Sequence, residues 1–335
     1  FNRGQRGITL DLKAPEGKEV LKKLIRQADV LIENFRPGVM DRLGFSYEEV
    51  AKLNPRIVYA SISGYGQEGA YADRACFDPV AQAMSGLVSV TGPADGECVR
   101  CGASIGDVLA AQNTVIGILA ALAHRNVSGR GQRIDVALVD SCIEALSSIN
   151  QIYFTTGRVP QQHGNFFEAS APGNTYPTKS GEKVMISAGQ ANAWPKFARI
   201  LGHEEWLEMP EFKTVDDRVR NRALLDRLIA QETAKLDKEE LLRELESVKI
   251  AAAPVMTVAD VANDPHFARE RNMYADVEHP QLGTVRITGQ AIKMSDTNPY
   301  VRGCAPMLGE HNQEVYTELG YSEEEIRELR QSGVI

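Results

Sequence analysis

The segment Ile105-Gly106-Asp107 comes directly before a long apolar stretch that predicts a helix as far as Arg125. A carboxylate at a helix start can act as the N-cap, accepting hydrogen bonds from free backbone N–H groups. It can also act as a nucleophile, because the positive end of a helix favours the ionised form. Several glycines surround this segment and would let a ligand approach the backbone closely: Gly86, Gly92, Gly96, Gly102 and Gly106. Capping and catalysis are compatible, and this pattern alone leaves both open for Asp107.

A second segment, residues 64–69, has the GxGxxG spacing of dinucleotide-binding folds and follows a predicted strand. In those folds the glycines bring a helix N-terminus against a pyrophosphate. Residues 70–79 do not predict a long helix, and no second strand ends in an acidic residue about 20 residues further on. We therefore interpret residues 64–69 as a loop whose glycines allow close backbone approach, and not as a nicotinamide site.

The cysteines include one CxxC pair, Cys98 and Cys101. A zinc site would need further ligands at suitable spacing, and the sequence has neither a second CxxC pair nor a His-x₃-His motif. We interpret the pair as incidental thiols and predict no metal. Five cysteines, an odd number in a chain of 335 residues, indicate free thiols and a reducing, cytoplasmic location.

The charge balance argues against a nucleic-acid partner. The net charge is −8, from 45 acidic and 37 basic residues, whereas nucleic-acid binding requires a basic surface. Lysine and arginine never occur in runs longer than two, so an anionic ligand must be bound by a few local cations. The longest apolar stretch, 108–123, is interrupted at 112–114 and is shorter than the roughly 20 residues of a membrane span. It predicts a buried helix and no membrane association.

Strands and helices alternate in the first half of the chain, which predicts an α/β fold with a mainly parallel, doubly wound sheet. Strands are predicted at 8–12, 29–33, 56–63, 133–139, 184–187 and 284–288. Helices are predicted at 15–28, 47–53, 107–125, 140–154, 192–201, 218–236, 238–248 and 323–330. Residues 155–177 are rich in Gly, Gln, Asn and Pro, and predict a linker to a second unit.

An ordered set of short segments resembles the family III CoA-transferases, also called the CaiB/BaiF family. The set runs through the whole chain: NRGQR (2–6), LDLK (10–13), ENFRPG (33–38), DRLGF (41–45), LNPR (53–56), SGYG (63–66), DPVAQA (78–83), IGD (105–107), GRGQ (129–132), PMLGEH (306–311) and ELGY (318–321). No single segment decides the resemblance, but the ordered set is highly specific.

The resemblance implies an interlocked homodimer of subunits, each with a large Rossmann-like domain and a smaller α/β domain. The large domain would comprise residues 1–155 and 273–335, with a linker at 156–176 and the small domain at 177–272. In this family a strand and helix with an Ala-Gly-Pro loop precede the segment with which this chain begins.

The resemblance also implies the residues of the site. The nucleophile of the family falls on Asp107. Its coenzyme A contacts fall on Lys13, Asn34, Phe35, Arg36, Arg42 and the segment from Ala75 to Asp78, which includes Phe77. Some relatives have a lysine at the position of Ala75, and here Arg74 would supply that charge. Arginines and an amide suit a phosphate-rich nucleotide.

The activity implied is CoA transfer from an acyl-CoA donor to a carboxylic acid acceptor, through an aspartyl mixed anhydride and an aspartyl-CoA thioester. Two alternatives remain. A 2-methylacyl-CoA racemase of the same fold would use a histidine directly before Asp78, where this chain has Phe77, which cannot carry a proton. A non-catalytic CoA-binding or scaffold subunit would bind coenzyme A without exchanging it.

Overall fold

The computed structural model describes residues 2–335, and strands and helices alternate along them. The strands are β1 (Val30–Glu33), β2 (Val58–Ser63), β3 (Arg133–Ala137), β4 (Gly173–Pro177), β5 (Lys183–Ser187), β6 (Ala251–Pro254), β7 (Tyr274–His279) and β8 (Gly283–Thr288). The α-helices are α1 (Pro15–Gln27), α2 (Val39–Leu43), α3 (Tyr47–Leu53), α4 (Asp78–Met84), α5 (Ile105–Ser128), α6 (Leu138–Ala145), α7 (Ser147–Thr156), α8 (Trp194–Ile200), α9 (Val215–Arg220), α10 (Arg222–Thr233), α11 (Lys238–Ser247), α12 (Val258–Asn263), α13 (Asn312–Glu318) and α14 (Glu323–Gln331).

Strands β1, β2 and β3 form a parallel sheet in that order, with Val30 opposite Val58 and Tyr59 opposite Arg133. Successive residues of a strand point to opposite faces, so β2 packs on both sides. Tyr59 lies in a cluster with residues of α1 and α3, whereas Val58 and Ala60 pack on α5. A parallel sheet covered by helices on both faces confirms the predicted α/β class.

The chain divides into two compact units. The first contains residues 2–87, 101–154 and 262–335, and the second contains residues 88–100 and 155–261. In the second unit β4, β5 and β6 form an antiparallel sheet, and a core that includes Trp194, Phe197 and Leu225 packs against it. Residues 88–100 therefore group with the second unit, and residues 262–272 with the first.

The predicted strand at 8–12 is wrong, because this segment is bound by the C-terminal part of the chain and not by a neighbouring strand. The Asn312 side chain accepts from Thr9 N and donates to Thr9 Oγ1, while Asp11 N donates to the carbonyl of Val334. These partners satisfy the backbone without a sheet ladder. Ile8 and Leu10 pack with the buried residues of α13 and α14.

Two predicted helices are each divided in the structure. The helix predicted at 140–154 is split into α6 and α7, which meet at Ser147, where φ is +38°. The helix predicted at 218–236 is split into α9 and α10 at Asn221. Short helices α2, α4 and α13 were not predicted, since a segment of five to seven residues shows too little of the helical period.

Helix α5 differs from the prediction of a buried helix. Only one face of it is buried, and Ala110, Thr114, Ile118 and Ala121 lie on that face. On other faces Ile116, Leu119 and Val127 are 64%, 61% and 91% exposed. Its length and apolar composition alone would also suffice for a membrane span. Its packing on β2 and β3 is that of a helix covering a sheet.

Candidate active site

A cavity of about 460 Å³ lies in the first unit, where the ends of β1 and β2 meet the start of α5. Ligand sites of parallel α/β folds lie at the carboxyl ends of the strands. The lining residues come from five parts of this unit: Asn34, Phe35, Arg36, Pro37, Ile62, Ser63, Gly64, Ala72, Arg74, Ala75, Cys76, Phe77, Asp107, Ala110, Ala111 and Leu138.

Asp107 lies in this cavity as the third residue of α5, and not at its N-cap, which is Ser104. The interpretation of Asp107 as the N-cap is therefore wrong. Asp107 is exposed to the cavity, yet the surrounding protein displaces part of its hydration water. This desolvation, followed by the negative charge of Asp78, raises the pKa of the Asp107 carboxyl above its usual range. Desolvation opposes the ionised form, so the direction of this shift is opposite to the expectation that the helix start would favour ionisation.

The start of α5 is capped from another helix. Asp78, the first residue of α4, is 4% exposed, and its Oδ1 accepts a hydrogen bond from Gly106 N at 2.8 Å. Its Oδ2 accepts from Gln82 Nε2 at 2.8 Å, and Gln82 Oε1 accepts from Cys101 N at 2.8 Å. This buried network joins α4 to the turn that carries Asp107, so Asp78 serves the position of Asp107 and does not line the cavity.

Close backbone approach explains one glycine of the 64–69 segment. A Cβ on Gly64 would lie 2.1 Å from the Cβ of Cys76, and both residues line the cavity. The interpretation of this loop as a close-approach segment is confirmed. Residues 70–77 that follow it contain no α-helix, whereas a dinucleotide site would have a helix start directly after the glycines.

The loop after β1 is fixed at two points. The buried Glu33 carboxylate accepts from Phe35 N at 2.8 Å, and Asn34 Nδ2 donates to the carbonyl of Ile62 at 2.8 Å. These bonds fix Asn34, Phe35 and Arg36 at the cavity. Phe35 is 46% exposed, which leaves its ring open to a ligand.

Most of the predicted site residues meet at this cavity. Its lining includes seven of them: Asn34, Phe35, Arg36, Arg74, Ala75, Phe77 and Asp107. The guanidinium of Arg74 lies 3.9 Å from the centre of the Tyr71 ring. Lys13 and Arg42 are exposed and do not line the cavity. Arg36 and Arg74 thus supply local positive charge in a chain with a net charge of −8.

Two residues of the site, Ser63 and Gln82, were missed by sequence reasoning, whereas Cys76 lies within the predicted segment from Ala75 to Asp78. Ser63 and Cys76 line the cavity, and Ser63 is 5% exposed with no hydrogen-bond partner for its hydroxyl. Gln82 lies behind Asp107 in the buried network. Ser63 and Gln82 belong to the SGYG and DPVAQA segments, so their place in the resemblance was a usable signal.

The cysteine pair shows no metal geometry. Cys98 Sγ lies 3.0 Å from Gln162 Oε1 in the second unit, and Cys101 belongs to the first. Within residues 2–335 no group of three or more His, Cys, Asp or Glu side chains could hold a metal ion.

The fold is of the α/β class, and its cavity brings a carboxylate and two arginines together near the ends of parallel strands. Residues 1–312 match the model of CoA-transferase family III. The chain belongs to this family and is a CoA-transferase.

Characterised relatives agree with this assignment. The chain is 34% identical to a succinyl-CoA–D-citramalate CoA-transferase of Chloroflexus aurantiacus, over 99% of this chain and 83% of that protein. It is 35% identical to a formyl-CoA:oxalate CoA-transferase of Streptomyces avermitilis, over 100% of this chain and 85% of that protein. The crystal structure of a CaiB/BaiF family protein from Brucella suis superposes with a TM-score of 0.85 at 35% identity, covering 95% of this chain and 82% of that one.

Proposed function

We propose that Asp107 is the nucleophile of an acyl-CoA:carboxylate CoA-transferase. The observation that supports this proposal is the position of its carboxylate and the lack of hydrogen-bond partners for it in the part of the chain that the structure describes. It lines the cavity beside Arg36 and Arg74, and within residues 2–335 no hydrogen bond or ion pair engages it. A carboxylate with a purely structural role would be bound by donors, as that of Asp78 is. Asp107 is therefore available to attack a ligand.

The reaction begins with attack of an Asp107 oxygen on the thioester carbonyl of the donor. The C–S bond breaks, coenzyme A leaves as a thiolate, and Asp107 holds the acyl group as a mixed anhydride. The thiolate then attacks the aspartyl carbonyl and expels the donor acid, which leaves an aspartyl-CoA thioester. The acceptor carboxylate repeats both steps in reverse order, which yields the new acyl-CoA and regenerates Asp107. Exclusion of water keeps each intermediate from hydrolysis.

Coenzyme A is proposed to bind along the cavity wall formed by the loop after β1 and by residues 74–77. Arg36 and Arg74 offer planar donors that suit phosphate oxygens, and Phe35 offers an aromatic face. Lys13 and Arg42, which are exposed outside the cavity, remain proposed contacts for the more distant parts of the nucleotide.

The proposed acids are short carboxylic acids, since the named relatives act on citramalate with succinyl-CoA and on oxalate with formyl-CoA. A racemase is less well supported. Phe77, which stands at the racemase histidine position, lines the cavity and has no group that titrates. Incubation of 2-methylacyl-CoA in deuterated water should give no exchange at the α-carbon.

A homodimer is part of the proposal. The exposed apolar residues of α5, among them Ile116 and Leu119, form a face that would be covered by a second copy of the chain. A cytoplasmic location remains a prediction from the free cysteines.

The test is mass spectrometry after incubation with a panel of short-chain acyl-CoAs, followed by trypsin digestion. Cleavage after Arg100 and Arg125 releases a peptide in which Asp107 is the only acidic side chain. A hydroxylamine-sensitive acyl or CoA adduct is expected on this peptide, and its mass names the donor.

Asp107→Ala should abolish the adduct and lower the transfer rate by roughly 1,000-fold or more, since the nucleophile is removed. Asp73→Ala, at an exposed position that does not line the cavity, is the matched control and should leave both unchanged. Cys101 lies on the same peptide and could also carry an acyl group. Loss of the adduct in Asp107→Ala would show that the adduct was on Asp107 and not on Cys101. Full transfer by Asp107→Ala would refute the proposal.

A further inference from the structure

A second cavity, of about 620 Å³, lies entirely within the second unit and has no part in the proposed transfer. The segment 163–168, β4 and the first half of α10 form most of its wall, and the end of α9 with Pro93 and Ala94 completes it. None of its lining residues lines the cavity that contains Asp107.

Helix α10 presents an uncapped N-terminus to this cavity. The Oδ1 of its N-cap residue, Asn221, accepts no hydrogen bond from the first turn, while Nδ2 donates to the carbonyls of Glu211 and Asp217. The first turn contains no acidic residue and begins with Arg222, a cation at the positive end of a 12-residue helix. Free N–H groups and a cation at this end both favour a bound anion.

Arg222 supplies the second observation. Its side chain lines the cavity and is 9% exposed, with the guanidinium 4.1 Å from the centre of the Phe166 ring. Nη2 donates to the carbonyls of Phe167, Glu168 and Ser170, whereas Nη1 is buried and has no partner. Burial lowers the pKa of Arg222, which shows that this environment opposes its charge.

Arg218, one helical turn earlier, shows what a purely structural arginine in this unit looks like. It is 2% exposed, and its Nε, Nη1 and Nη2 donate to the carbonyls of Ala171, Phe212 and Gly189 respectively. Every nitrogen of that guanidinium has an acceptor. Arg222 differs in having an unpaired nitrogen and a cavity beside it.

The other charged residues of the wall already have partners. Glu168 accepts two hydrogen bonds from Arg158, and Arg220 pairs with Asp217. Asp226 accepts from Tyr176 Oη at 2.6 Å and from Asn174 Nδ2 at 2.9 Å. Arg222 donates only to carbonyls, and no carboxylate of this wall forms a direct ion pair with it, although the charges of Asp226 and Glu168 favour its charged form.

We infer that this cavity binds a small oxyanion, through the Arg222 guanidinium and the N-terminal N–H groups of α10. These donors suit the oxygens of a carboxylate, and the oxygens of a free phosphate would be bound in the same way. The carboxylates of Glu168 and Asp226 in the same wall limit the ligand to one small anionic group near Arg222, with any second charge directed away from them.

Isothermal titration calorimetry of the whole chain with succinate and, separately, with inorganic phosphate tests the inference. Chloride keeps the ionic strength constant, and no coenzyme A is present. Saturable binding of at least one probe is expected, and the stronger of the two identifies carboxylate or phosphate as the ligand. Absence of binding by both probes would overturn the inference.

Ala223→Asp locates the binding. Ala223 is the exposed second residue of α10 and lines the cavity. An aspartate there would place a carboxylate of the chain itself at the N-terminus of α10, where it competes with the anionic probe. Affinity for the probe should fall by about tenfold or more, while the thermal midpoint of the free variant rises. Ala223→Asn matches the shape without the charge and should retain binding. Transfer activity should stay unchanged in both variants.

Equal affinity in Ala223→Asp and the wild type would place the anion elsewhere and refute the site. Wild-type crystals soaked in selenate provide a measurement that needs no variant. An anomalous peak within hydrogen-bonding distance of Arg222 is expected, and its absence counts equally against the inference.

Discussion

At the scale of single residues, the two aspartates of the active site have opposite surroundings. Asp78 is buried, and its two oxygens accept from Gly106 N and Gln82 Nε2. Asp107 lies next to it without donors, and desolvation and the charge of Asp78 raise its pKa. A carboxylate whose ionised form is poorly stabilised is a better nucleophile than one held by hydrogen bonds.

The raised pKa predicts the acid limb of the activity profile. Asp107 must be ionised to attack, so the rate of adduct formation should fall with decreasing pH at a value above the ordinary aspartate range. Asp78→Asn removes the neighbouring negative charge, and the midpoint of this limb should move to lower pH, whatever the loss in maximal rate. A midpoint that stays in place would show that the charge of Asp78 does not act on Asp107.

The raised pKa of Asp107 also predicts how the stability of the folded protein depends on pH. Because the folded-state pKa of Asp107 is raised, the charged carboxylate destabilises the folded protein, and stability is lost as the pH rises through that pKa. Asp107→Asn should therefore have a higher thermal midpoint than the wild type at neutral pH. The difference should shrink as the pH falls and the wild-type carboxyl is protonated. Thermal melts across the acid range measure both, and a constant difference would contradict the assignment.

At the scale of elements, the position of Asp107 depends on the contact between α4 and α5. Gln82 on α4 is fully buried and bonds Asp78 Oδ2 and the backbone N–H of Cys101. It thereby ties the turn before α5 to α4. A displacement of this turn by a fraction of an ångström would change the direction from which Asp107 meets a thioester.

Gln82→Leu should lower the transfer rate by about tenfold, because Cys101 N and Asp78 Oδ2 lose buried hydrogen bonds of about 1–3 kcal/mol each. The Michaelis constant for acyl-CoA should change little, since Gln82 does not line the cavity. Steady-state kinetics separate the two constants. Gln27→Leu, at the exposed end of α1, is the control. An equal change in both constants would indicate general loss of structure.

At the scale of the whole molecule, α5 has two functions. One face covers β2 and β3 and orients Asp107, while the opposite face exposes large apolar side chains such as Ile116 and Leu119. Exposed apolar patches of this kind mark interaction surfaces, and the proposed homodimer would cover this one. Dimer formation and the position of the nucleophile would then depend on the same helix.

Leu119→Glu should convert a dimer to a monomer, because the substitution buries a charge in the proposed interface. Sedimentation velocity gives the mass of both proteins. Gln27→Glu adds the same charge at the exposed end of α1, away from α5, and should leave the dimer intact. A wild-type chain that sediments as a monomer would refute the proposed dimer.

Local patterns predicted much of the framework. Helix α3 was predicted at Tyr47–Leu53 as found, and β1, β2 and β5 were placed to within two residues, because period and turn residues are local signals. Splits at Ser147 and Asn221 were not predicted, since the helical period continues through both breaks. The exposed face of α5 was also missed, because an all-apolar helix does not reveal which neighbours cover it.

The sequence by itself determined the order of the elements, the family and the identity of Asp107 as the candidate nucleophile. Only the tertiary structure decided how that residue is held. The cap on Gly106 comes from Asp78, 28 residues earlier, and Gly64 is constrained by Cys76 across a loop. The pKa of Asp107 likewise depends on desolvation and on Asp78. Such contacts join residues distant in the chain, and a pattern of neighbouring residues has no information about which of them will meet.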